Sequence, residues 1–490
     1  MSCNQARTQK PTARTGTSQT DGRRPQTLAL RGFNRPNGPR IMFLNGRGRG
    51  SGVQTMSTHA AATIDAVEAG GTPRRLELSG AGLLSAAMAG AGLLAYAFHI
   101  LAARTLTTSD YGQVAALWAA LFIGVVVLFR PLEQTTARAV ADRLTRGEEA
   151  ATVLRSIAIV YVSVLVALGV AAAFAWGTLT DRLFLGSDFL TAMLVAGIAG
   201  YGLQYVARGI LGGLRWFRGL SGIHLGDGAI RLLVALPLLT FASKDVAAAA
   251  LAAAGIGGAV VPLWQGRAQI AALRKGADDE KFQLREALRF AGPASVIAGS
   301  DQLLVNGAPL LVIGAGGGDA SKAAAVVFAA TMLVRVPVFL FSGVAGSILP
   351  NLTRLNASAD HRRFATTVVR VCLVFAAATV AIVAAAALFG PEGMRLLYGA
   401  DYTAPASDLA LLGIGAGCYL ACATMSQALL ALARGLQAAA AWTVSAALFV
   451  GVYAVVQGAD LRRISLAIAV AMVVNTVLLA GVFARRTRSF

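Results

Sequence analysis

Two charged side chains stand near the middle of long apolar stretches, Asp301 in the run 288–313 and Arg335 in the run 323–349. At the centre of a membrane helix an ionisable residue costs about 2.5–3.5 kcal/mol on the insertion scale, so each is a functional hypothesis by default. Both lie about 17 residues from the midpoint of the segment that joins them. An antiparallel helical hairpin therefore brings them to one depth, where they can pair. A neutral pair locking two helices adds little net stability. The chemical alternative is that Arg335 receives an anionic substrate group while Asp301 is its resting counter-ion or a cation site. Pro293 and Pro309 bracket Asp301 and Pro337 follows Arg335, a pattern that predicts helices kinked or broken beside both charges. Asp227 and Arg231 are i, i+4 neighbours on one helical face and can neutralise one another. Arg130 and Glu133 fall at the end of an apolar run, where long side chains reach the interface, and read as interfacial. His99, Tyr96, Gln204 and Tyr205 are candidates to line an outer or central cavity, although lone polar residues in membrane helices more often satisfy helix contacts.

Other chemistries find no support. Cys418 and Cys422 share a helix face, but no His or carboxylate joins them at metal-ligand spacing, and the four histidines are scattered, so no metal site and no cofactor is expected. The run Gly314 to Asp319 resembles a phosphate loop only in its glycines; it lacks the following Lys-Ser/Thr and reads as a flexible hairpin. Asn351-Leu352-Thr353 matches a glycosylation acceptor but falls on the cytoplasmic side of the expected topology. With no Ser/His/Asp, paired-carboxylate or P-loop constellation, neither an enzyme nor an ATP-driven pump is indicated.

The elements that must hold these residues are membrane helices. The 490 residues are 56% hydrophobic and only 14% charged, with a mean hydropathy of +0.64, whereas soluble chains carry about 25% charged residues. A span needs about 20 mostly apolar residues to cross the hydrocarbon core as a helix. Twelve stretches qualify, at 79–103, 112–132, 153–177, 189–213, 220–242, 246–264, 288–313, 323–349, 366–389, 405–430, 436–457 and 464–484. The net charge of +19 is not a nucleic-acid signature, because ten basic residues against Asp21 alone fall within residues 1–55. Residues 1–77 read as a basic, disordered cytoplasmic tail without a secretory signal peptide. Met56 is an alternative start that would leave residues 1–55 untranslated.

Loops on the side of that tail carry Arg138, Arg143, Arg146, Arg208, Arg215, Arg218, Arg267, Arg274, Lys275, Arg354, Arg362, Arg363, Arg370 and Arg485 among others. The opposite loops hold only Arg104, Arg182, Lys244, Lys322, Arg395, Arg462 and Arg463. The asymmetry places both termini in the cytoplasm of a multi-pass protein of the cell membrane, with the Arg462-Arg463 pair as the one awkward spot. A charged linker, 265–287, divides the spans into an N-terminal six-helix lobe (78–264) and a C-terminal one (288–484), with 485–490 as a cytoplasmic tail. The segment Arg182-Leu-Phe-Leu-Gly-Ser-Asp-Phe189 returns as Arg395-Leu-Leu-Tyr-Gly-Ala-Asp-Tyr402, one unit written twice. An even number of spans per unit makes the lobes parallel repeats, with the binding site expected between them near midplane. The repeated segment itself is expected to cap spans four and ten on the outer face. Laid over the first half, the repeat finds Ala and Gly near 86 and 120 where the second half has Asp301 and Arg335. A scaffold requirement would recur in both halves, so these two charges weigh toward function.

The chain resembles the polysaccharide flippases of the multidrug/oligosaccharidyl-lipid/polysaccharide exporter superfamily. The residues that carry the likeness are Leu101-Ala-Ala-Arg104 with Asp110-Tyr-Gly112, Arg208-Gly-Ile-Leu-Gly-Gly-Leu214, Arg335-Val-Pro337 and Leu349-Pro350, and it covers about residues 79–484. It implies an all-α polytopic membrane protein whose two lobes face a central cavity. By alternating access that cavity moves a polyprenyl-diphosphate-linked oligosaccharide from the inner to the outer leaflet for cell-surface polysaccharide synthesis. Its partners would be the lipid-linked glycan, membrane lipids, and glycosyltransferases and a polymerase of the same pathway. A diphosphate in a low-dielectric cavity calls for arginines that can fork onto its oxygens, so Arg335, with Arg231 or Arg208, is expected to engage it while Asp301 tunes the empty state. Two alternatives stand beside this reading. One is a cation-coupled multidrug efflux antiporter of the same superfamily, for which Asp227 is the acidic candidate in the first half. The other is a non-transporting scaffold that recruits glycan-assembly enzymes through its basic cytoplasmic face.

Overall fold

The computed structural model describes residues 73–148, 150–273, 284–316, 319–336, 338, 361–432 and 434–487. Within the described residues each expected apolar stretch contains a helix. In the first half they are α1 (Pro73–Thr105), α2 (Thr108–Thr145), α3 (Ala151–Thr178), α4 (Asp188–Gly213), α5 (Phe217–Ala235) and α6 (Lys244–Gln265). The second half has α7a (Leu284–Asn306), α7b (Ala308–Ala315), α8 (Ala320–Val334), α9 (His361–Tyr398), α10 (Ala406–Ala431), α11 (Gly435–Val455) and α12 (Asp460–Thr487). Among the described residues ten helices are long and apolar enough to cross a membrane, and α7a with α7b makes an eleventh span bent by 63°. The bend falls at Gly307, where Pro309 cannot supply a backbone N–H to the preceding turn. The break predicted beside Asp301 is therefore real and lies on its C-terminal side. The α8 helix stops at Val334, with Arg335 as its C-cap. The rest of the expected eighth span, and most of the linker, lie outside the described residues.

Helix ends follow from local sequence. Thr107, Ser187 and Ser243 each stand before a helix, and their hydroxyls accept a backbone N–H of the first turn, satisfying donors that no intrahelical carbonyl reaches. The α2 helix has 38 residues, about 57 Å at 1.5 Å per residue. It therefore outruns the expected span 112–132 and carries Arg138 and Arg143 past it, with Arg146 as its C-cap.

The helices pair in the same way in each half. In the first lobe α1 packs on α5, α2 on α4, α4 on α6 and α5 on α6; in the second α7a packs on α11, α8 on α10, α10 on α12 and α11 on α12. This recurrence is the internal repeat in three dimensions. Lipid tails give no hydrophobic drive for helices to associate, so close packing of small residues has to hold each lobe together. Along α4, Gly202 faces Phe129, Gly209 faces Thr136 and the Glu133 carbonyl, and Gly213 faces Val140, all on α2. The most peripheral helices are α3 and α9, each with only 11% of its apolar window buried. Between the lobes α2 is the shared element, packing on both α7a and α8.

The repeated segment does different work in its two copies. In the first, Leu185 and Gly186 take positive φ values of 51° and 88°, and Ser187 then caps α4 as expected. In the second, α10 begins only at Ala406, with Pro405 as a cap residue that makes no side-chain bond. That copy does not cap its helix; its Tyr398 and Tyr402 are buried at 1% and 2% exposure. At the same face the Arg462-Arg463 pair is neutralised. Arg462 bonds Asp408 at 2.9 Å, and Arg463 bonds Asp460 at 3.0 Å while lying over the Tyr453 ring. Two basic residues held by two carboxylates add little to a charge bias that counts only basic residues.

Candidate functional site

Within the first lobe, α2, α4 and α5 hold a ladder of charged side chains. On α5, Arg231 bonds Asp227 at 2.7 Å, and Tyr201 of α4 donates to the other Asp227 oxygen at 2.6 Å while accepting from Arg231 at 2.8 Å. Arg231 is 2% exposed, and its guanidinium also lies 5.0 Å from the centre of the Trp118 ring on α2. Desolvation of so buried a cation is offset only when such partners are in place. Asp227 and Arg231 do neutralise each other, but with Tyr201 as a third member that their spacing did not disclose.

Further along the ladder, Glu133 of α2 is shared by two arginines. Arg130 reaches one of its oxygens at 3.1 Å and Arg208 of α4 reaches the other at 3.3 Å. Arg208 also sits over the Tyr205 ring at 4.3 Å. Gly209 makes this possible: a Cβ there would stand 2.8 Å from the Glu133 carbonyl oxygen and 2.7 Å from Thr136, so only glycine lets α4 approach closely enough. Arg130 and Glu133, read from sequence as interfacial, are thus joined to Arg208. The signal that could have placed them was the Arg-Gly step at Arg208-Gly209.

In the second lobe, Asp301 on α7a accepts from Gln302 at 3.2 Å, and Gln302 accepts from Asn306 at 2.8 Å, a polar run that leads to the Gly307 break. The second Asp301 oxygen is buried too. Tyr419 of α10 is a second hydrogen-bond partner of this carboxylate, and Arg335 and, from the opposite lobe, Arg130 act on it through their charge. Arg335 in turn faces Tyr96, Tyr419 and Asp301. Its backbone N–H bonds the Met332 carbonyl at 3.1 Å, and that carbonyl also accepts from the Tyr96 hydroxyl of α1 at 2.6 Å. The expected pairing of Asp301 with Arg335 does not occur. They share a cleft and a field but form no ion pair, because equal depth on two helices fixes height and not azimuth. Among the described residues Arg335 has no ion-pair partner.

Beyond Tyr96 the cleft is sealed at the face that carries the turns 106–107, 184–187 and 399–405. Arg104, at the end of α1, donates to the carbonyls of Leu396 and Leu397 at the end of α9, where a helix presents unpaired acceptors. Ser321 of α8 donates to the Ser109 carbonyl at 2.6 Å. Gly112 lies so close to Ser321 that a Cβ there would be 1.9 Å from its carbonyl oxygen. Tyr111 fills the seam against Phe328 and Tyr402 of the second lobe. The motif residues Arg104, Tyr111 and Gly112 thus all belong to one closure between lobes. Of the remaining sequence candidates, Gln204 satisfies a helix contact with the Ala254 carbonyl at 3.5 Å.

No protein-family model and no curated protein matches the chain. Solved structures do. An inward-facing conformation of a multidrug resistance MATE family transporter of the MOP superfamily has a TM-score of 0.68 at 17% identity, covering 81% of this chain and 95% of that one. An outward-facing conformation of a transporter described in the same terms has a TM-score of 0.63 at 15% identity, covering 84% and 96%. A MOP superfamily transporter from Pyrococcus furiosus, whose reverse polarity of binding pocket is described as suggesting a different function, has a TM-score of 0.60 at 16% identity over 84% and 96%. The chain therefore shares the fold of these solved transporters, two six-helix lobes in a multi-pass membrane protein.

Proposed function

We propose that this protein is an alternating-access exporter of amphipathic solutes that carry a negatively charged group, working in the cell membrane with both termini in the cytoplasm. The observation that carries the reading is Arg335, a cation between two lobes with no ion-pair partner among the described residues. A lone guanidinium in a low-dielectric cleft gains most from an incoming carboxylate or phosphate, onto which it can fork. The seal at one face supports a cycle in which that face opens as the other closes, and the resemblance in fold to both inward-facing and outward-facing transporters agrees with it.

Between the two substrate classes weighed from sequence, efflux of small molecules is the better supported, because the solved neighbours are described as multidrug transporters. Coupling to a cation at Asp227 is a weaker part of that reading, since Arg231 and Tyr201 already occupy both of its oxygens. The second reading is the polyprenyl-diphosphate-linked oligosaccharide, with glycan-assembly enzymes as partners. It is favoured by the arginines Arg335, Arg130 and Arg208 from the two lobes, which suit a diphosphate. Vesicles holding the purified protein test both together. Uptake of anionic amphipathic dyes supports small-molecule export, and translocation of a defined lipid-linked oligosaccharide supports the second reading. Failure of both refutes transport of this class.

A further inference from the structure

His99 is a buried imidazole near the sealed face that the transport reading does not use. It is 0% exposed. Its ring is boxed by Phe98 at 5.1 Å, Trp118 at 4.5 Å and Tyr111 at 6.2 Å from its own lobe, and by Phe328 of α8, from the other lobe, at 4.8 Å. Nδ1 meets the Tyr111 hydroxyl at 3.4 Å, whereas Nε2 is buried without a hydrogen bond. On the far side of Tyr111 stands Tyr402, its ring centre 5.9 Å away, and Tyr398 packs on Tyr402 with its hydroxyl buried without a hydrogen bond. Two such atoms in one seam are unusual, since buried polar groups nearly always find a partner.

Among the described residues the side chains that meet the ring include no carboxylate. Its own α1 contributes Tyr96 and Arg104; α2 contributes Tyr111 and Trp118; α8 contributes Phe328; beyond Tyr111, the end of α9 contributes Tyr398 and the segment after it Tyr402. The charge that reaches it is Arg231, behind Trp118 and already held by Asp227. An imidazolium needs two acceptors, and the closed seam supplies one. Separation of the lobes takes Phe328 away and brings water to Nε2. Proton binding and opening are then thermodynamically linked, because a ligand that binds one of two states better shifts the equilibrium toward it.

We propose that His99 is a proton-binding site whose occupancy opens the face sealed by Arg104, Ser109 and Gly112. The proposal does not depend on which solute is carried. The test is double electron–electron resonance between spin labels at Leu185→Cys on one lobe and Leu396→Cys on the other, both exposed at this face. The four native cysteines are replaced by alanine and the protein sits in lipid vesicles between pH 5 and 8. A single linked proton changes the open-to-closed ratio by at most about tenfold per pH unit. The expected result is a longer-distance population that grows as pH falls, and that His99→Phe makes independent of pH. His99→Gln, which keeps a polar ring-sized group but cannot titrate, is the second variant and should also lose the pH dependence. A distance distribution that does not move with pH in the unsubstituted protein, or that moves equally in either variant, overturns the proposal.

Discussion

Gly112→Ala should hold the two lobes apart at the sealed face without unfolding either of them. The added Cβ would stand 1.9 Å from the Ser321 carbonyl oxygen, 2.6 Å from the carbonyl carbon and 2.7 Å from Oγ. The first two are backbone atoms of α8 and cannot rotate away, so the seam must widen. Overpacking of this kind costs about 1–3 kcal/mol. Because the contact exists only in the closed face, that cost shifts the conformational equilibrium by about 5–150-fold. The control is Gly417→Ala, where a Cβ would meet Thr379 Oγ1 at 2.2 Å inside the second lobe. That clash is present in both states, so it should lower the melting temperature and leave the equilibrium alone. The label pair at Leu185 and Leu396 reads the first effect and thermal unfolding reads the second. If Gly112→Ala leaves the distance distribution unchanged, or lowers stability as Gly417→Ala does, the seam is not a moving closure.

Three further outcomes follow from the same geometry. Asp227→Asn leaves Arg231 buried and undercompensated, and should cost about 3–5 kcal/mol in stability; Asp227→Asn with Arg231→Met should recover most of it in thermal unfolding. Dye efflux lost in the single variant and restored in the double one would mark Asp227 as structural, whereas efflux lost in both would make it an ion site. Asp301→Asn keeps one acceptor oxygen for Gln302 or Tyr419, so it should lower the melting temperature only slightly, yet it should alter transport; a large drop in melting temperature contradicts this. Arg104→Gln removes an exposed contact to α9 and should open the face less than fivefold, well below the effect of Gly112→Ala in the same distance measurement.

The helices were legible because the bilayer imposes a single length rule. Twelve apolar runs near 20 residues leave little freedom, and the break at Gly307 could be anticipated from Pro309. The cleft was only partly legible. Depth can be counted along a helix, so Asp301 and Arg335 were placed at one level, but rotation about each axis depends on packing that no spacing records, and they do not pair. The Glu133 bridge between Arg130 and Arg208 joins two helices, and only the glycine beside Arg208 hinted at their approach. The second copy of the repeat kept its sequence pattern but gave up the capping role, because its tyrosines are taken by the seam between lobes.

The central claim, a solute-carrying cleft in which Arg335 receives a negative group, is tested most directly by transport in proteoliposomes with Arg335→Ala and Arg335→Lys beside the unsubstituted protein. Each is supplied with an anionic amphipathic dye and, separately, with a defined lipid-linked oligosaccharide. The account predicts that at least one of the two substrates crosses, that Arg335→Ala abolishes its movement, and that Arg335→Lys, which keeps the charge but not the planar fork, retains part of it. Transport by Arg335→Ala at the unsubstituted rate, with equal protein in the vesicles, would contradict it.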